Sequence, residues 1–251
     1  MKRLISFMIG ALLVLVCGAA LAETIPVTLS DDGIVCNDKG VFIDGSTITF
    51  IVPAEYEITG SLSNGQLIVD SEFDGEVTLI LSNASIHNET GAAIYVKQCS
   101  PRASIVLADG TVNELSGGEK YALDADGEPN GVIFSKDDIT IKGAGALNVK
   151  ARFMDGIVSK DDVRVKGGII TISAPRNGIH GKDSVEIFDG VIDITAGNDG
   201  IKATNEKEAA KGFLTISGGT ITIKCADEPI SVVTHLTITG GSIDATVVDD
   251  E

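Results

Sequence analysis

Short runs in which aliphatic and polar residues alternate recur through the second half of the chain, about 22 residues apart. A Gly-Ile or Gly-Val pair marks each recurrence, at Gly131-Val132, Gly156-Ile157, Gly178-Ile179 and Gly200-Ile201. Two more runs follow each pair. Ile139 to Ile141, Val163 to Val165, Val185 to Ile187, Leu214 to Ile216 and Leu236 to Ile238 fill the first slot. Leu147 to Val149, Ile170 to Ile172, Ile192 to Ile194, Ile221 to Ile223 and Ile243 to Ala245 fill the second. A period of two places the aliphatic residues of each run on one side of a strand. Recurrence at a fixed interval predicts units that bury their apolar face only by stacking on neighbours. The pattern therefore predicts an all-β parallel β-helix, a β-solenoid of about 22 residues per coil with three strands per turn.

Residues 25–113 are less regular, but runs such as Ile48 to Phe50, Leu67 to Val69, Val77 to Leu81 and Ile105 to Leu107 read as earlier strands. Asx-Gly pairs, including Asp44-Gly45, Asn64-Gly65 and Asp109-Gly110, supply the turns between them. Two polar excursions, Glu114 to Asn130 and Asn205 to Lys211, break the regularity and are expected to emerge on one flank. Residues 1–22 form a separate element: Lys2 and Arg3, an apolar run from Leu4 to Val16, and Ala20-Leu21-Ala22 have the form of a cleaved signal peptide. Lipoprotein processing at Cys17 fits less well, because Val16 precedes it. This leaves residues 23–251 as one domain, secreted or held at the cell surface, with no second apolar stretch near the ~20 residues of a membrane span.

A net charge of −17 argues against nucleic acid and anionic membrane as direct partners. Aromatic residues are 4% of the chain and tryptophan is absent, so ring platforms for stacking on neutral sugars are scarce. Outside the expected leader, which holds Cys17, the cysteines Cys36, Cys99 and Cys225 are odd in number and widely spaced, which reads as small buried apolar residues and not as a disulfide framework.

Candidate chemistry lies at the two ends of the Gly-Ile strands. Asn130, Asp155, Asn177 and Asp199 precede the glycines, with Asn198 beside the last; Asp137, Asp161, Asp183 and Asn205 follow them. Stacked about 4.8 Å apart, aligned carboxylates repel unless a cation or alternating amides relieve them. Oxygen-only ligands of this kind suit Ca²⁺. Asx residues beside glycine also serve simply as turn formers. Lys136, Lys160 and Lys182 precede the downstream row, while Lys202 and His180 lie on the Gly-Ile strands themselves. Together they make a basic strip suited to an anionic polymer; the bland alternative is solvated Lys–Asp pairing, worth little.

The phrases from Glu128 to Ile141, from Asn177 to Asp183 and from Asn198 to Ala203 resemble a family of exported bacterial carbohydrate-binding domain-containing proteins. The resemblance runs from Thr47 to the end of the chain and is strongest between Asp126 and Gly241. It implies a right-handed, single-stranded parallel β-helix similar to that of pectate lyases, and binding of Ca²⁺ together with an acidic plant polysaccharide such as polygalacturonate, with cellulose as a further candidate and no established catalysis. It points to Asp155, Asn198 and Asp199 before the strand and to Asp161, Asp183 and Asn205 after it. Asn177 stands where that family usually has Asp, so this position is expected to hold a metal weakly. Two other functions compete with a non-catalytic, calcium-assisted binder. One is a calcium-dependent polysaccharide lyase whose base is Arg152, Arg176, Lys160 or Lys182; the other is a purely structural or adhesive solenoid.

Overall fold

The computed structural model describes residues 24–248, so the signal-peptide expectation for residues 1–22 lies outside the described residues. Regular structure among the described residues is β-strand throughout. No helix there is long and apolar enough to cross a membrane. Short β-branched runs ended by Gly and Asx turns cannot sustain helices, and their apolar residues need a partner strand on each side.

The strands form two sheets. One has nine strands, running in spatial order from Val41–Asp44 and Thr47–Phe50 through Gly131–Ser135, Asp155–Ser159, Ile179–Gly181 and Ile201–Ala203 to Ile230–Val232. The other has 13, because a second row of strands, among them Val112–Gly117, Ala146–Lys150 and Thr220–Cys225, joins the main row. The joints are the long strands Val77–Asn88, Asp162–Ala174 and Ser184–Ala196, each paired in both rows. Gly167 and Gly168, with φ of 155° and 98°, let the second of these turn a corner without breaking, and its register shifts there.

This corrects the expectation of a single-stranded, right-handed β-helix with three separate strand rows and an even coil of about 22 residues. The strands close, barrel-like, around one interior as two sheets, one of them carrying extra strands. The interval between partners is also uneven. Ile48 pairs with Leu67, Leu67 with Ile94 and Ile94 with Ile133, intervals of 19, 27 and 39 residues. From Ile133 to Ile157, Ile179, Ile201 and Ile230 the intervals are 24, 22, 22 and 29. The first hairpin of the nine-stranded sheet is antiparallel. Local alternation specifies a strand, but it does not say where one sheet ends and the next begins.

The aliphatic residues of neighbouring strands stand opposite one another, as Ile170, Ile192 and Ile221 do, and as Val163, Val185 and Leu214 do. All six lie within one continuous core, which also contains Cys99 and Cys225. The outer face of the nine-stranded sheet is partly covered. Phe134 and Val158 alternate with the core residues Ile133 and Ile157, yet are buried in a small second cluster with Ala92 and Tyr95. Across this face runs the excursion 118–130, fastened by Tyr121 against Phe153 (centroids 5.4 Å apart) and by the Ala122 amide donating to the Thr90 carbonyl.

Candidate functional site

The row of Asn130, Asp155, Asn177 and Asp199 lies along one edge of this face, with the last three almost wholly buried. Charge alternates with amide along it. Asp155 Oδ1 accepts from both the backbone and the side-chain amide of Asn177, each at 3.0 Å, and Oδ2 accepts from Asn130 Nδ2 at 3.3 Å. Asn177 Oδ1 in turn accepts from Asn198 Nδ2 at 3.1 Å and from the Asp199 amide at 3.3 Å. Asp199 is closed by Lys202 Nζ at 2.5 Å and by the Glu228 amide at 3.2 Å. Of the two remedies for stacked carboxylates, cation or alternating amides, protein donors supply the second here. His180 Nε2 lies 2.9 Å from Thr204 Oγ1, and its Nδ1 is 3.8 Å from Asp155 Oδ2. Arg176 Nε also lies 3.8 Å from Asp155.

The opposite edge is different. Asp137 Oδ2 accepts from the Cys99 amide at 2.6 Å, while Asp183 accepts from Asn205 Nδ2 at 2.6 Å and from Lys211 Nζ at 2.8 Å. Asp161 lies between them, and among the described residues no protein donor reaches its carboxylate. Burial, and then the negative charges of Asp183, Asp138 and Asp137, push its carboxyl up. For Asp183 burial acts in the same direction, but hydrogen bonds from Lys211 and Asn205 outweigh it and hold its carboxyl down. Two open hollows meet at Asp138 and Asp161: one of about 610 Å³ reaching Lys97 and Pro101, the other of about 450 Å³ reaching Lys211 and Phe213. Among the described residues, no three His, Cys, Asp or Glu side chains converge closely enough to cage a metal ion.

The basic strip is divided in use. Lys136 and Lys160 both pair with Glu128, at 3.4 and 2.5 Å, and so clamp the excursion onto the sheet. Lys202 is spent on Asp199, whereas Lys182 is exposed on the same flank as Asp161. Sequence reasoning missed Glu128, Lys211 and the cluster around Arg164. That guanidinium is bound to Asp138, Asp162 and Glu186 at 2.7, 2.6 and 3.0 Å; burial draws its pKa down, but the three carboxylates outweigh this and raise it. Asp-Asp pairs at 137–138 and 161–162, with Arg164 two residues on, were the available signal.

Residues 44–251 match the model of the family described as "Carbohydrate-binding domain-containing protein". A protein of that description from Acetivibrio thermocellus is 39% identical over 140 residues, which cover 55% of this chain and 49% of that protein. The chain thus spans about half the length of the curated relative it matches. A solved structure described as the polysaccharide lyase-like protein from C. thermocellum, gadolinium derivative, superposes with a TM-score of 0.80 and 35% identity, over 91% of this chain and 96% of that one.

Proposed function

The chain belongs to the carbohydrate-binding domain-containing family, and on that premise we propose that it works outside the cytoplasm as a binder of uronate-rich, pectin-like polysaccharide, with Ca²⁺ bridging protein and polymer. The observation that carries this reading is Asp161, a carboxylate without a protein donor between two acidic neighbours, at the meeting point of two open hollows. A protein of net charge −17 repels a polyanion unless cations intervene. Asp161 offers oxygen donors of the type Ca²⁺ prefers, but far fewer than the about six to eight it takes, so polymer carboxylates and water complete the shell. Lys182, on the same flank, adds a direct contact for the polymer.

Retention of the protein on immobilised polygalacturonate, measured in Ca²⁺ and then in EDTA, tests the reading. Retention is expected to collapse on chelation and to weaken in Asp161→Asn. Undiminished binding in EDTA refutes the bridge. The lyase alternative draws on Arg176 and Lys182 as bases beside the acidic rows. It requires unsaturated uronate to appear in the ultraviolet spectrum, and a flat trace over a day removes it.

A further inference from the structure

On the outer surface of the 13-stranded sheet, away from the acidic rows, His87 and Ser116 are paired residues on neighbouring strands. Ser116 Oγ lies 2.9 Å from His87 Nδ1, and Glu89 Oε2 lies 3.0 Å from His87 Nε2. The protonation pattern follows from the donors available. An ionised carboxylate only accepts, so Glu89 selects the tautomer with hydrogen on Nε2. Nδ1 is left as the acceptor, and the Ser116 hydroxyl donates to it. A nucleophile, a base within hydrogen-bond reach and a carboxylate orienting that base are the parts required for acyl transfer. The Glu89 backbone is itself held, its amide donating to Asn64 Oδ1 at 3.1 Å. Lys150 is the register partner of Ser116 on the next strand, so the two side chains leave the same face of the sheet from backbones about 4.8 Å apart.

We infer that Ser116, His87 and Glu89 form a serine esterase centre that hydrolyses small carboxylic esters carried by a polysaccharide. Ser116 Oγ attacks the ester carbonyl while its proton passes to His87 Nδ1. Lys150 offsets the charge on the tetrahedral oxygen. The carbon–oxygen bond to the alcohol breaks, and His87 returns the proton to the departing oxygen. Water then attacks the acyl-serine by the same proton route, releasing the acid and restoring Ser116. Atoms balance with water as the sole co-reactant. Glu89 is a positioning residue, since it acts through His87. An open face suits a polymer, and the choice of a polysaccharide as carrier rests on the proposed function. Hydrolysis of a methyl ester would expose the carboxylates that a calcium bridge uses.

The test uses the full chain with 4-nitrophenyl acetate, and separately with methyl-esterified and O-acetylated polygalacturonate, following release of methanol or acetate to tell the two ester types apart. Steady hydrolysis is expected, lowered on the order of 10³-fold or more in Ser116→Ala and His87→Ala, with a fluorophosphonate label landing on Ser116. Glu89→Gln is expected to move the acid limb of the pH–rate profile to lower pH, and Glu89→Asp to recover part of the rate. No hydrolysis above that of free imidazole, or labelling unchanged in His87→Ala, overturns the inference. Retention of Ser116→Ala on polygalacturonate in Ca²⁺ separates failure of this centre from failure of the binding reading.

Discussion

Replacing Asn177 with Asp tests whether alternating amides hold the buried row together. The two side chains are nearly isosteric, so packing changes little. The substitution removes the Nδ2 donor and places an oxygen 3.0 Å from Asp155 Oδ1, at a site only 1% exposed. Two charges at that separation repel by about 5 kcal/mol at an effective dielectric of about 20. The variant escapes by keeping a proton on the pair, which also restores a donor to Asp155. Holding a carboxyl of ordinary pKa ~3.9 protonated at pH 7 costs about 4 kcal/mol, and this caps the penalty. The sign follows from the raised pKa of the new carboxyl in the folded state. Its penalty is absent below about pH 4, where the unfolded chain is protonated too, and grows by about 1.4 kcal/mol per pH unit above that. Urea unfolding at pH 7, 5.5 and 4, compared at constant m-value, reads this directly. A loss of equal size at all three pH values, or one below about 1 kcal/mol at pH 7, refutes the electrostatic account.

Asp161→Asn should raise Tm at pH 7 while weakening calcium-dependent retention on polygalacturonate. Its carboxyl is pushed up in the fold, so the ionised form destabilises, and the gain should fade as pH drops towards the ordinary 3.8 and be absent below it. Lys211→Met should lower Tm at pH 7, because Asp183 loses the pairing that helps hold its carboxyl down; that contribution is present above the ordinary 3.8 and lost as pH falls below it, so the deficit should shrink towards pH 3. Glu128→Gln should release the clamp on Lys136 and Lys160 and speed limited proteolysis within residues 118–130, while core unfolding measured by hydrogen exchange changes little.

The candidate site was legible in unequal parts. Asp155, Asn177 and Asp199 were found as a set because the Gly-Ile phrase repeats beside them, and they do share hydrogen bonds. What these bonds join could not be read in advance, since turn residues and metal ligands draw on the same Asx side chains. Asp137, Asp161 and Asp183 looked equivalent, but backbone from Cys99 and a lysine from the second excursion occupy two of them and leave Asp161 free. Lys136 and Lys160 read as a polymer-binding strip, but a buried glutamate from the first excursion holds both.

By itself, the alternation of aliphatic and polar residues determined that the chain is all-β and which residues face the interior, because a period of two leaves each side chain one of two faces. The excess of carboxylates likewise determined that any anionic polymer must be met through cations or local basic groups. Only the tertiary structure decided that the strand rows merge into two sheets, because glycines such as Gly167 and Gly168 carry a strand around a corner instead of ending it. It also decided which charges are already paired and which remain open, since the partners of Asp137, Asp183 and Lys160 lie 28 to 38 residues away along the chain, where local pattern carries no information.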